Sequence, residues 1–256
     1  MNFAVLAKQV PDLVEGLQIG ASGKALDPDS IRYILSEPDD HALEEALLLK
    51  ERIGGRVEVF SLDIGEARET LCAALAKGAD RAILVQAESE TPLDNHAHAQ
   101  VLADLLRASS FDLILTGVRA VDDLDGSLGG LVAGFLDLPY IGLVRKVELA
   151  EGAVSAMVQK EYPGGLAAEL EVQLPAVLGI QAAEQPPRYV PISRLRQVMK
   201  SATIEERIVP PPSARGIGVE RLFMPVEGAG AKMLLGNPEE LACEIVGLLA
   251  ERRVLR

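Results

Sequence analysis

A glycine-rich polar segment, residues 117–130, carries residue types that bind phosphate. It follows the apolar run Phe111–Thr116 and leads into a second apolar run, Leu131–Leu136. Backbone N–H groups at the start of a helix carry partial positive charge and can hold a phosphate. The segment has neither the P-loop nor the Gly-x-Gly-x-x-Gly spacing, so a glycine-capped turn is an equally simple interpretation. The candidate phosphate donors are the backbone groups around Gly126, Ser127, Leu128 and Gly129.

Charged residues near this segment restrict the chemistry further. Its three aspartates would repel a phosphate unless they point away or hold a cation. Lys8 follows an apolar run at the start of the chain, and its ammonium group could contact a phosphate. The simpler expectation is that this group extends into solvent at the edge of the sheet. No Ser, Cys or Thr stands in a nucleophile–base pattern, and Cys72 falls within an apolar helical pattern typical of a core. The sequence therefore predicts no catalytic residue.

The three histidines show no metal-ligand spacing. His96 and His98 lie two residues apart, on different sides of a helix, and His41 stands far from both. No cysteine or carboxylate at a ligand spacing accompanies them. We therefore expect all three on the surface and predict no metal site.

Composition excludes several function classes. The 256 residues are 48% hydrophobic and carry a net charge of −13, so a folded domain that repels nucleic acid is expected. No apolar stretch approaches the roughly 20 residues of a membrane-spanning helix. The two cysteines are too few and too far apart for a disulfide framework, which indicates a reducing compartment and predicts a cytoplasmic protein.

Apolar runs alternate with helical patterns in the first half of the chain. This alternation predicts a parallel sheet with helices on its faces. The predicted strands are Phe3–Ala7, Arg56–Leu62, Arg81–Gln86 and Phe111–Thr116, and the predicted helices are Asp40–Ile53, Gly65–Lys77 and Asn95–Arg107. Short strands joined by tight turns follow and predict an antiparallel extension. These are Val144–Leu149, Ala153–Lys160 and Ala167–Leu174, with Ala176–Gln181 as a further strand.

The last third of the chain is divided by proline-rich segments. Prolines 186, 187 and 191 exclude a helix or a central strand over residues 184–191, which predicts an extended surface loop. Its Arg188, Tyr189 and Val190, with Ile192 beyond it, are either interface anchors or fold back as packing. A short helix over Ile192–Lys200, a proline linker near 209–213 and a helix capped by Asn237 are predicted after it.

These segments together resemble the beta (small) subunit of electron transfer flavoproteins. The resemblance rests on their common order and spacing over most of the chain. The matching segments are Val5–Asp12, Pro38–Leu47, Glu69–Arg81, Gly164–Leu166, Leu174–Val177 and Pro187–Tyr189. The resemblance implies a Rossmann-like α/β fold of the adenine nucleotide alpha hydrolase type, with an antiparallel extension and a C-terminal arm. The expected organisation is a nucleotide-binding domain at 1–183, a partner recognition loop and helix at 184–200, and a linker and arm at 201–256 that packs on the partner subunit.

The resemblance also implies an electron carrier rather than an enzyme. Such subunits pair with an alpha subunit that holds most of the FAD, and carry AMP or a second FAD of their own; the choice stays open here. Dehydrogenases, and a membrane quinone oxidoreductase, are the implied partners, with Arg188, Tyr189, Val190 and Ile192 in the docking segment. The implied nucleotide-binding residues are Ala7, Lys8, Leu62, Asp63, Gly117, Val121, Asp122, Asp125, Gly126, Ser127, Leu128 and Gly129.

The sequence departs from that family at two positions of interest. Ser127 stands where the phosphate loop of the family commonly has glutamine, and Ser193 replaces an anchor proline. Val219–Pro225 and Gly236–Glu240 resemble the longer tails of the electron-bifurcating and nitrogen-fixation-associated branch. The alternative function is a stand-alone ATP- or AMP-binding module of the universal-stress type. Such a module would be a homodimer without flavin, whereas the extension, the loop and the tail favour a subunit with a different partner.

Overall fold

The structure is a computed structural model that describes residues 1–87, 93–123, 125–150, 152–213, 218–225, 230–231 and 233–254. Leu124 and Glu151, which fall in two predicted turns, lie outside the described residues. Residues Met1–Glu220 form one unit and Arg221–Arg256 a second. The elements are β1 (Asn2–Leu6), β2 (Gln9–Pro11), β3 (Tyr33–Leu35), α1 (Glu37–Ile53), β4 (Arg56–Leu62), α2 (Ala67–Lys77), β5 (Arg81–Ala87), α3 (Asn95–Leu106), β6 (Leu113–Gly117), α4 (Leu128–Leu136), β7 (Tyr140–Glu148), β8 (Ser155–Tyr162), β9 (Leu166–Gln173), β10 (Ala176–Ile180), α5 (Ile192–Ser201), β11 (Glu205–Val209) and α6 (Pro238–Glu251).

A nine-stranded sheet organises the first unit. Its order is β11-β5-β4-β1-β6-β10-β7-β8-β9. Neighbours from β11 through β7 pair in parallel, and β8 and β9 add an antiparallel extension. This confirms the predicted fold class. A separate antiparallel pair, β2 with β3, forms a small sheet that the sequence patterns did not indicate.

The two faces of the sheet bury separate cores because side chains alternate along each strand. In β1, Phe3 and Val5 face the core beneath α1 and α2, whereas Ala4 and Leu6 face the core beneath α3 and α4. Strands buried on both faces are expected in a parallel sheet covered by helices. Cys72 is buried on α2, as its apolar surroundings predicted.

The strand β11 is a correction to the sequence interpretation, which placed residues 201–256 in a linker and an arm. Glu205–Val209 pairs in parallel with β5 at the edge of the sheet. Only Val209 of its five residues is buried, so the strand lacks the apolar run that marks the inner strands. Charged side chains add contacts to this backbone pairing, since Arg81 bonds to both Glu58 and Glu205.

The second unit contains α6, whose start matches the sequence prediction. The Asn237 side chain accepts hydrogen bonds from the backbone of Glu239 and Glu240, each at 3.0 Å. The Glu240 side chain in turn accepts from the Asn237 backbone, which completes a capping box. Across the described residues, no helix has the combination of length and apolar character needed to cross a membrane.

Candidate functional site

The carboxyl ends of β1 and β6 lie side by side because these two strands pair in parallel, with Leu6 opposite Thr116. The strand order reverses between them: β4 lies on the other side of β1, and β10 lies beyond β6. Open parallel sheets bind ligands in the crevice at such a reversal. Lys8 follows β1 and residues 118–127 follow β6, so the fold brings the two predicted segments together here.

Lys8 joins the two segments through its ammonium group. Its Nζ lies 2.8 Å from Asp122 Oδ1 and 2.8 Å from Asp123 Oδ2. Burial by itself would lower the pKa of Lys8, but the hydrogen bonds and charges of the two aspartates outweigh it and raise that pKa. Lys8 therefore stays charged and does not extend freely into solvent, and it is the cation that holds part of the acidic loop.

A second group of hydrogen bonds closes the loop around Asp125. Its Oδ1 atom accepts from the Ser127 backbone N–H at 2.9 Å, from Ser127 Oγ at 2.9 Å and from Asn95 Nδ2 at 2.8 Å. Asn95 also donates to Asp123 Oδ2 at 3.0 Å. Sequence reasoning missed Asn95, which is buried at the start of α3. Hydrogen bonds accepted by its own carboxylates thus hold the loop in place.

Asp39 fixes the backbone of both segments from the first turn of α1. Its carboxylate accepts the Gly117 N–H at 2.6 Å and the Lys8 N–H at 3.1 Å. Burial raises the pKa of Asp39 to about 6, although these hydrogen bonds oppose the rise. A Cβ on Gly117 would lie 2.8 Å from the Asp39 backbone nitrogen, so this close approach requires glycine. The sequence interpretation had no role for Asp39.

His98 corrects the prediction that all three histidines are exposed. It is 5% exposed on α3, whereas His96 is exposed and His41 is half-buried. Burial lowers the pKa of His98 to about 3, and the charge of Lys8 adds to this shift. A neutral imidazole tolerates burial far better than an ammonium or carboxylate. His98 lies one turn after Asn95 on the same face of α3, and its imidazole interacts electrostatically with Lys8 and Asp123.

The remaining predicted residues occupy different positions around the crevice. Leu62 is the last residue of β4 and Asp63 follows it, where its carboxylate accepts from Gln86 Nε2 of the neighbouring strand β5 at 3.0 Å. Val121 is exposed. Gly126 has a φ of 61°, and a Cβ there would lie 2.7 Å from the Val118 carbonyl oxygen. The last three are buried: Ala7 after β1, and Leu128 and Gly129 in the first turn of α4.

Comparison with known proteins places this chain in a family. Residues 25–212 match the model of the electron transfer flavoprotein domain. The chain is 31% identical to the electron transfer flavoprotein subunit beta of Methylophilus methylotrophus over 98% of both chains. It is also 31% identical to that of Bacillus subtilis over all of both chains. It belongs to the electron transfer flavoprotein beta-subunit family. Its role is accordingly in electron transfer.

A further relative of this beta-subunit family chain comes from Acetobacterium woodii. The two are 30% identical over the full length of both chains, and the relative is named subunit CarD of a caffeyl-CoA reductase–Etf complex. That relative therefore belongs to a complex with other subunits. The family is in turn one of flavoproteins, which ties it to a flavin.

The proline-rich segment of the beta-subunit chain lies against α1 through Arg188. The Arg188 guanidinium bonds to both oxygens of Glu44, with Nη2 2.8 Å from Oε1, and to Glu51 Oε1 at 2.6 Å. The Arg188 backbone N–H also bonds to Glu44, at 2.9 Å. Arg188 thus packs on its own domain. Tyr189 and Ile192 are 80% and 61% exposed, and Val190 is half-buried.

Two more side chains of α1 hold the same segment. His41 Nδ1 accepts from the Ala183 backbone at 3.2 Å, and Glu45 Oε2 accepts from the Glu184 backbone at 3.1 Å. Burial raises the pKa of Glu45 to about 7. Residues 41, 44 and 45 share one helix face, since their spacing is three and four residues. This face of α1 therefore fixes the course of residues 183–188.

The phosphate group of an adenine nucleotide does not fit the loop as this chain builds it. Three donors beside the start of α4 already bond to Asp125 Oδ1: the Ser127 N–H, the Ser127 hydroxyl and the Asn95 amide from α3. Leu128 has no polar side-chain atom to offer, and the Lys8 ammonium is bonded to two carboxylates. The architecture of a nucleotide crevice is present, but the Ser127 and Asn95 donors and the Lys8 ammonium are already bonded within the protein.

Proposed function

We propose that this chain is the beta subunit of a heterodimeric electron transfer flavoprotein, paired with an alpha subunit that carries FAD. The observation that carries the proposal is the similarity to two beta subunits, which extends over nearly the whole of each chain. A fold alone would not support it, because similar sheets serve many functions. The similarity includes the antiparallel extension and the region of α6, which a compact nucleotide-binding module does not need.

The proposed partners are dehydrogenases that deliver electrons and, as acceptor, a quinone oxidoreductase of the membrane. The segment from Arg188 to Ile192 is proposed as their docking site. Tyr189 and Ile192 support this role, since large side chains so exposed and held on a fixed backbone suit an interface. Arg188 would then act as an anchor that positions the segment rather than as a contact.

The flavin supplies the redox chemistry when it is bound, by accepting and releasing electrons. This chain contributes position and environment. Asp39 fixes the ends of β1 and β6 relative to α1, and the α1 carboxylates fix the docking segment. No acid, base or nucleophile is needed for such a role. We propose a cytoplasmic location, supported by the free thiols of Cys72 and Cys243.

Co-expression with a cognate alpha subunit tests this function. We expect a one-to-one complex that carries FAD, shows a flavin absorption spectrum and is reduced by a dehydrogenase with its substrate. The chain expressed alone should bind no flavin. A stable homodimer that binds ATP and ignores the alpha subunit would overturn the proposal in favour of a universal-stress type of module.

A further inference from the structure

The start of α4 is the place where this fold would receive a phosphate, and three donors beside it converge on one atom. Asp125 Oδ1 accepts the Ser127 N–H, the Ser127 hydroxyl and the Asn95 amide, at 2.8 to 2.9 Å. A phosphate oxygen bound at a helix start would take the same kinds of donor: a backbone N–H, a hydroxyl and a side-chain amide. The Asp125 carboxylate therefore occupies the chemical position of a phosphate oxygen.

The charge of the loop supports the same conclusion. Asp122, Asp123 and Asp125 supply three carboxylates, and Lys8 is the one cation bonded to this group among the described residues. Donors from Ser127 and Asn95 lower the pKa of Asp125 despite the opposing effect of burial, so the carboxylate is ionised at neutral pH. A phosphate monoester brings about −1.5 to −2 further charges at pH 7. It would enter a loop that is already negative and whose bonded cation, Lys8, is engaged by two aspartates.

We propose that Asp125 replaces the phosphate of a nucleotide with its own carboxylate, so that this chain folds and functions with no adenine nucleotide of its own. The inference rests on the proposed function, because it concerns the cofactor content of the flavoprotein heterodimer. The heterodimer then carries the FAD of the alpha subunit, and neither AMP nor a second FAD on this chain. The network of Lys8, Asp122, Asp123, Asn95 and Ser127 supplies the order that a bound nucleotide would otherwise give to the loop.

Nucleotide content of the purified heterodimer tests the first part of the proposal. Nucleotides are released with acid, separated and quantified against protein. We expect one FAD per heterodimer and less than 0.1 AMP, ADP or ATP, an order-of-magnitude limit for an empty site. One AMP per heterodimer, or a second FAD, would overturn the inference while leaving the proposed function intact. A chain that forms no FAD-bearing complex would instead overturn the proposed function.

Asp125→Ala tests whether this carboxylate is the cause. The substitution frees the Ser127 and Asn95 donors and removes one negative charge from an exposed loop position. We expect the variant heterodimer to bind AMP at least tenfold more tightly than wild type in isothermal titration calorimetry. Asp104→Ala is the matched control: it makes the same change on exposed α3 surface, nine residues or about 13 Å along the helix from Asn95.

The two variants separate occupation of the donors from overall charge. Equal AMP affinity in the Asp125 and Asp104 variants would refute the role of Asp125, even if the wild type is empty. The melting temperature of each heterodimer shows whether the fold is retained. Asp125→Gly makes the same test if the alanine variant does not fold, because glycine accepts any backbone conformation of the loop.

Discussion

Arg188 connects the proline-rich segment to α1 through two carboxylates that differ mainly in burial. The Glu44 side chain is 3% exposed and bonds to the guanidinium through both oxygens, while also accepting the Arg188 backbone N–H. The Glu51 side chain is 57% exposed and makes one contact. Glu44→Gln and Glu51→Gln therefore remove one charge each from the same cation in two different environments.

The burial of Glu44 sets the expected magnitude. Removing one partner of a buried ion pair costs about 3–5 kcal/mol, and an exposed pair contributes about 0–1 kcal/mol. Because the Arg188 side chain is 29% exposed, water recovers part of its interaction, and we expect about 2–3 kcal/mol for Glu44→Gln. Glutamine keeps one acceptor oxygen, and its amide NH2 cannot accept the guanidinium bond that the second carboxylate oxygen accepts. Glu51→Gln should cost less than about 1 kcal/mol.

Hydrogen exchange of the segment measures this local free energy. A loss of 2–3 kcal/mol accelerates exchange of the Arg188 amide by roughly 30- to 150-fold, since about 1.4 kcal/mol corresponds to a factor of ten. Glu51→Gln should change it by less than about fivefold. Exchange in β1 and β6 serves as the internal reference. If the two variants accelerate the Arg188 amide equally, burial of Glu44 does not anchor the segment and the reasoning fails.

Three further predictions concern α1, the docking segment and α6. Because burial raises the pKa of Glu45 from 4.5 to about 7, the folded state binds a proton more tightly than the unfolded state, and stability falls as pH rises through this range. Glu45→Gln should remove that dependence, so that its urea stability relative to wild type increases between pH 5 and pH 8. Ile192→Asp should weaken dehydrogenase binding at least tenfold in calorimetry, whereas Val14→Asp, the same change at another exposed aliphatic residue, should leave it within about twofold. Asn237→Ala should destabilise the start of α6 by about 1 kcal/mol, seen as faster exchange of the Glu239 and Glu240 amides.

Apolar patterns were sufficient to predict the sheet, because buried parallel strands need long apolar runs and helices between them. The same logic fails for β11, where one neighbour and one buried residue suffice for pairing. It also fails for β2 and β3, which are three residues each. A long apolar run indicates a strand that is buried on both faces, so short strands and edge strands have only a weak pattern in the sequence.

The sequence was sufficient to predict where the site lies, but it predicted only part of the contacts within the site. The predicted parallel sheet places the site at the carboxyl ends of its strands, and the glycine and polar residue types identify the loop that follows β6. The Lys8 pairs span more than a hundred residues of sequence, and only the order of the strands brings their members together. For Asn95 and His98 a local signal existed, since their three-residue spacing places two polar groups on the otherwise apolar buried face of α3.

The polar residues of α1 explain how one helix serves two regions of the subunit. Asp39 in its first turn holds the ends of β1 and β6, and Glu44 and Glu45, one turn later, hold the docking segment. Each is a buried carboxylate that accepts backbone N–H groups from a distant part of the chain. Such groups are costly to bury unless their bonds are made, so each tolerates few alternative positions of its partner. The crevice and the proposed docking segment are thereby fixed relative to one rigid element, as the proposed carrier function requires if the subunit is to hold a flavin-bearing partner and a dehydrogenase in a defined arrangement.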